Sequence, residues 1–188
     1  MIISISDLSD IDPKDVYFVD ANVILFIYLD KEYNQDTEKR KIYMDFIKYL
    51  QKNGNVLRIS TLNLQEVLHV VEKKEFKGYC QTQNSKVSLK NYRKNRYERH
   101  KLKQKLDLIL RQITQSYSIE DDSVTKEDIE AFVSGFETHL YDPMDFFAVH
   151  SRCRPGCCFN YITDDSDFKN NLLFQKSRRT NLYTCAMV

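Results

Sequence analysis

The chain has 188 residues, 42% hydrophobic and 29% charged, the profile of one globular domain rather than a disordered or fibrous chain. Four Gly and three Pro exclude collagen-like and low-complexity architectures, and a net charge of +1 carries no global signal for a polyanionic partner. Five cysteines lack paired CxxC spacing, the start lacks a secretory leader pattern, and no apolar run approaches the roughly 20 residues of a membrane span. A soluble, cytoplasmic protein with free thiols and no membrane partner is therefore expected.

Val16-Tyr17-Phe18-Val19 is a fully apolar run ending at Asp20, which predicts a strand buried on both faces of a parallel sheet. Residues 23–29 continue as a helix. Over residues 38–52, Ile42, Phe46, Ile47 and Leu50 recur at helical spacing, and Gly54 is expected just beyond that helix as its C′ residue. Residues 56–60 predict a second strand. A helix follows with Leu64, Val67, Leu68 and Val71 on its apolar face. Residues 76–86 read as an irregular polar excursion, and residues 90–115 as one long basic helix with Leu102, Leu106, Ile109, Leu110 and Ile113 along one side.

Residues 126–140 predict a further helix with Ile129, Phe132, Val133, Phe136 and Leu140 facing inward. Asp142 suits the N-cap and Pro143 the first position of the next helix, which runs to residue 152. Residues 159–162 predict a third strand, leading into Thr163-Asp164-Asp165, and residues 181–186 a fourth. Strands alternating with helices predict an α/β fold with a mostly parallel sheet. No linker or repeat divides the chain, so residues 1–188 are expected to form a single domain with an inserted basic helical segment around 76–126.

Charge is unevenly placed. Residues 73–105 hold twelve Lys or Arg against two acids, and residues 120–145 nine acids against one Lys. Such asymmetry fits a nucleic-acid surface beside a metal site, and equally a solvated helix face. In the nucleic-acid reading, Lys90, Arg93, Lys94, Arg96 and Arg99 contact phosphates, and Tyr92 and Tyr97 stack bases.

Open α/β sheets carry their sites beyond the carboxyl ends of the strands. Asp20 follows the first predicted strand and Asp164 and Asp165 the third. Glu66 lies early in the helix after the second strand, and Asp145 in the first turn of the helix opened by Asp142-Pro143. Converging carboxylates repel one another unless cations neutralise them, and hard ions such as Mg²⁺ or Mn²⁺ prefer oxygen ligands. Asp142 also reads as a cap, Asp145 as a favourable charge at a helix N-terminus, and Asp164, Asp165 and Asp167 as loop caps. Asp20 is the hardest to explain structurally, because a carboxylate closing a buried strand loses solvation.

Four segments resemble one family. Val16-Tyr17-Phe18-Val19-Asp20-Ala21-Asn22-Val23-Ile24-Leu25 is similar to the opening motif of PIN-domain nucleases, a hydrophobic strand followed by Asp-x-Asn-Val. Thr61-Leu62-Asn63-Leu64-Gln65-Glu66-Val67-Leu68 resembles their second motif. Asp142-Pro143-Met144-Asp145-Phe146-Phe147-Ala148 resembles the third, and Ile162-Thr163-Asp164-Asp165-Ser166-Asp167-Phe168 the closing Thr-x-Asp-x-Asp-Phe. The resemblance implies a three-layer α/β/α sandwich and a metal-dependent nuclease acting on single-stranded RNA or flap-like substrates. In it Asp20, Glu66, Asp145 and Asp165 would hold Mg²⁺ or Mn²⁺, supported by Asn22 and Thr163, with Asp164 and Asp167 competing for the last ligand position. It also implies a homodimer, as in many relatives, and an antitoxin or other inhibitor protein as partner for toxin-type members. The segment between the second and third motifs is longer than in compact toxin-type relatives.

Two rival readings remain at this stage. A haloacid-dehalogenase-like phosphatase would use Asp20 as nucleophile with Ser60 or Thr61 and Asp164 or Asp165. It would leave Asn22 where most such enzymes need an acid-base Asp, and Glu66 and Asp145 without roles. A non-catalytic PIN-like module would bind RNA or protein without cleaving.

Overall fold

A computed structural model describes residues 2–4, 11–29, 37–83, 86–135, 143–150, 160–164 and 181–184. Among these, the side chains of residues 2–4, 144, 145, 149, 150 and 181–184 are outside the description. Six strands form one sheet, β1 (Ile2–Ser4), β2 (Val16–Val19), β3 (Val56–Ser60), β4 (Ser118–Glu120), β5 (Asn160–Ile162) and β6 (Asn181–Thr184). They lie in the order β1-β6-β5-β2-β3-β4, and every neighbouring pair is parallel. A parallel sheet must be covered on both faces, and β2 shows how. Tyr17 and Val19 pack into one cluster with α1 (Ala21–Tyr28), α2 (Thr37–Lys52), α3 (Thr61–Thr82) and α5 (Arg96–Ser116). Phe18, pointing the other way, packs with Tyr161 and with Phe132 of α6 (Lys126–Ser134) and Phe146 of α7 (Pro143–His150). The result is the expected three-layer α/β/α architecture.

Several local expectations hold for identifiable reasons. α2 buries Tyr43, Phe46, Ile47 and Leu50, one stripe at helical spacing. It ends in a Schellman arrangement: the Asn55 amide donates to the Leu50 carbonyl at 3.0 Å and the Gly54 amide to Gln51 at 3.2 Å. Gly54 has φ +85°, the left-handed conformation that this motif requires and glycine tolerates.

Other expectations are corrected. α3 does not stop near Phe76 but runs to Thr82, because Phe76 and Tyr79 find an aromatic partner in Tyr92, at ring distances of 5.4 and 5.3 Å. The single basic helix is two: α4 (Leu89–Lys94) ends at Asn95, whose side chain caps α5 by accepting from the Tyr97 and Glu98 amides. On α6, Phe132 is buried but Ile129 and Val133 are exposed at 49% and 66%, so the inward stripe is narrower than the apolar pattern suggested. Phe136 and Leu140 lie outside the described residues, as does the stretch predicted to cap α7 at Asp142. β1 and β4 were not anticipated: each has three residues, too few for alternation to register. No helix among the described residues is long and apolar enough to cross a membrane. Cys80 is a free thiol, and the other four cysteines lie outside the described residues.

Candidate active site

The order of the strands determines where a site can form. From β2 the chain steps to β3 and then β4, whereas from β5 it steps the opposite way to β6. The reversal lies between β2 and β5, and it is at such a reversal, beyond the carboxyl ends of the strands, that open α/β sheets form a ligand-binding crevice. Val19 pairs with Ile162, so the residues at that crevice are Asp20 on one side and Thr163 on the other. The Asp20 amide donates to the Ile162 carbonyl at 2.9 Å and locks the two strand ends together.

Asp20 is 1% exposed, and burial without donors would be costly for a carboxylate. Its Oδ2 accepts from the Thr163 hydroxyl at 2.6 Å, and its Oδ1 from the Ala21 amide at 2.7 Å, where it caps α1. Asn63 Nδ2 and the Tyr161 hydroxyl each lie 3.4 Å from Oδ1 and 3.1 Å from each other. Asn63 is itself held at the start of α3, where its amide donates to the Ser60 N-cap hydroxyl at 2.9 Å. Four groups from three segments, α1, α3 and the end of β5, thus surround one carboxylate. Glu66 is one helical turn beyond Asn63, on the same side of α3 by i,i+3 spacing, and is half-buried. Asn22, in the first turn of α1, is also half-buried.

The third motif lies on α7, which packs against α3. Asp145 is the third residue of α7, but its side chain is outside the description, and Asp142, Asp165 and Asp167 lie outside the described residues. Asp164 is described, and it turns to α2. Lys39 Nζ is 2.6 Å from its Oδ2 and the Tyr43 hydroxyl 2.9 Å from its Oδ1. Tyr43 also lies 3.1 Å from the Thr163 carbonyl oxygen. This pairing clamps the end of β5 to α2 through Asp164. Replacing Tyr43 with Phe removes the buried hydroxyl from this clamp. A loss of about 1.5–3 kcal/mol is expected, as for a hydrogen bond to a charged group, read as a lower urea midpoint with unchanged slope.

Sequence reasoning missed Asn63, Tyr161, Lys39, Tyr43 and Asp122. Asp122 Oδ2 accepts from the Leu62 amide at 2.8 Å, and the Asp122 amide donates to Thr61 Oγ1 at 3.2 Å. A carboxylate at the start of α3 suits the helix dipole. The only available signal was the i,i+4 placement of Lys39 and Tyr43 on one helix face; the others are long-range contacts invisible to spacing.

The basic segment is partly reassigned. Arg93, Lys94, Arg96 and Arg99 line a groove of about 920 Å³ together with Glu72, His100, Lys103 and Asp107, and Lys90 is exposed on α4. Tyr92 is not a surface residue: it is 1% exposed, wedged against Phe76 and Tyr79, and burial pushes its hydroxyl pKa up to about 12. A ring so placed belongs to the core and cannot stack a base, whereas Tyr97 is 74% exposed.

Among the described residues, no group of three or more His, Cys, Asp or Glu could hold a metal ion. Asp20 and Glu66 supply oxygen donors at neighbouring places, a donor type suited to Mg²⁺ or Mn²⁺, and Thr163 fixes the direction of the Asp20 carboxylate.

No family model matches the chain, and no curated protein matches it. Among solved structures, it is similar to the crystal structure of VapBC2 from Rickettsia felis bound to a DNA fragment from their promoter. The identity is 18%, over 90% of this chain and 98% of that chain, with a TM-score of 0.48.

Proposed function

We propose that the chain is a metal-dependent nuclease that hydrolyses phosphodiester bonds in single-stranded RNA, working from the β2–β5 crevice. The supporting observation is Asp20, a buried carboxylate at the sheet's topological switch point, with Thr163 and the Ala21 amide donating to its two oxygens. In this reading Asp20, Glu66, Asp145 and Asp165 hold Mg²⁺ or Mn²⁺, with Asn22, Thr163 and Asp167 in support. A divalent ion bound there supplies Lewis-acid stabilisation of charge on the phosphodiester and makes a water molecule more acidic.

The protein's own residues prepare that chemistry. Thr163 and the Ala21 amide hold the Asp20 carboxylate in one orientation, so little reorganisation is needed when substrate arrives. Against the phosphatase reading, Asn22 stands where most such enzymes need an acid-base Asp. Incubation with end-labelled single-stranded RNA in Mn²⁺, Mg²⁺ or EDTA tests the proposal. Cleavage that EDTA abolishes is expected. A folded protein that leaves RNA intact in both metals and shows no calorimetric binding of either ion is instead a non-catalytic module.

Thr163→Val keeps the shape of the side chain and removes its hydroxyl. Because this group orients a ligand rather than serving as one, a 10–100-fold loss in metal affinity or cleavage rate is expected, checked by Mn²⁺ titration of the rate.

A further inference from the structure

The groove beside α4 and the first turns of α5 is remote from the crevice and electrically unbalanced. Its two acids are already neutralised. Glu72 takes a two-pronged contact from Arg93, Nε to Oε1 at 2.7 Å and Nη2 to Oε2 at 2.5 Å, and Asp107 pairs with Lys103. The hydrogen bond from Arg93 holds the Glu72 carboxyl below its usual range, so that pair persists at neutral pH. No ion pair among the described residues involves Lys94, Arg96 or Arg99.

Arg96 and Arg99 sit where helix electrostatics disfavours them, whereas Lys94 is favourably placed in the last turn of α4. Arg96 and Arg99 occupy the first turn of α5 and its edge, at the positive end of the dipole, and Lys94 closes α4 just before it. The charges of Arg96 and Arg99 add to the helix field instead of cancelling it, concentrating positive potential in one groove. Arg96, Arg99 and Lys103 succeed one another at about one per helical turn, or about 5 Å. Tyr97, the neighbour of Arg96 in sequence, lies outside the groove's lining and is exposed, so it offers a flat ring to a base, a feature that an acidic peptide would not use.

We propose that this groove holds the backbone of a single-stranded nucleic acid, with Lys94, Arg96 and Arg99 on its phosphates and Tyr97 as a stacking surface. The inference deepens the nuclease reading and rests on it for what happens at the strand's other end. The groove borders Glu72, nine residues along α3 from Asn63, an axial distance of about 14 Å. At about 3.4 Å per stacked nucleotide, a strand touching both places needs at least roughly four nucleotides.

The test measures binding without cleavage. Fluorescence anisotropy in EDTA compares the full chain with Arg96→Glu/Arg99→Glu, using a labelled single-stranded RNA of about 12 nucleotides, a trinucleotide and polyglutamate. For the long strand, the double variant should bind at least about tenfold more weakly near 100 mM salt, and its log–log salt slope should flatten by roughly 1.4. Trinucleotide binding should be weak and alike in both proteins. The thermal midpoint of the variant should be unchanged or higher, because acids replace bases at a helix N-terminus. Tyr97→Ala should weaken long-strand binding without changing the salt slope. Equal affinity and slope for wild type and double variant overturn the proposal, as does tighter binding of polyglutamate than RNA through the same two arginines. Because binding is read without metal, RNA binding by a chain that fails to cleave in Mn²⁺ or Mg²⁺ would sink the nuclease reading and leave the groove standing.

Discussion

Asp20→Asn is expected to abolish metal-dependent cleavage, with a loss of at least about 10²–10³-fold, while the protein remains folded. The substitution preserves shape and leaves an oxygen that can still accept from Thr163 or from the Ala21 amide. It removes the negative charge and replaces one acceptor oxygen with an amide group that donates. A hard divalent ion is bound chiefly by charge and oxygen lone pairs, so it loses much of its attraction to the crevice. Circular dichroism and a urea titration establish that the variant is folded, and single-turnover cleavage in Mn²⁺ reads the effect. A folded Asp20→Asn protein cleaving within about threefold of wild type would remove Asp20 from the chemistry, since a ligand's contribution cannot be that small.

The second large effect concerns the face opposite α1 and α2. Phe146 is 2% exposed and packs with Phe132 at 5.1 Å, Phe147 at 5.5 Å and the Phe18–Tyr161 side of the sheet. Among the described residues its buried neighbours are Phe18, Phe132 and Tyr161, large side chains fixed on the sheet and on α6 that cannot readily fill the space a truncation leaves. Phe146→Ala is expected to lower unfolding free energy by about 3–5 kcal/mol, the usual range for a large aromatic in a core. It should also depress cleavage beyond what the unfolded fraction explains, because Asp145 precedes Phe146 on α7 and its placement depends on how that helix is seated. Phe132→Ala, which weakens the same cluster from α6, is the control. Equal stability losses with equal activity losses would mean that seating α7 has no special role.

The elements legible in the sequence are those whose signal is local and dense. The β2 run, the α2 stripe and the Gly54 closure each follow from one short window, and each was found where expected. Asp20 was legible for the same reason: an acid ending an apolar strand is anomalous within five residues. What failed depended on partners far along the chain. The length of α3 hinged on Tyr92, 13 residues beyond Tyr79, and the break at Asn95 on a cap competing with helix propensity on either side. The exposure of Ile129 and Val133 depends on how α6 is turned about its axis, which apolar spacing alone leaves ambiguous.

Residue type and order alone thus determine that acids follow strands in this chain, that the strands are buried on both faces and that a basic stretch lies between two motifs. Only the tertiary structure decides which of those acids is which. Asp20 meets Thr163 because β2 and β5 pair across 143 residues of chain in a fixed register, whereas Asp164, one residue on, points to α2 and is held by Lys39 and Tyr43. The physical reason is the alternation of an extended chain: neighbouring side chains leave its two sides in turn, so Thr163 and Asp164, adjacent in sequence, enter different environments.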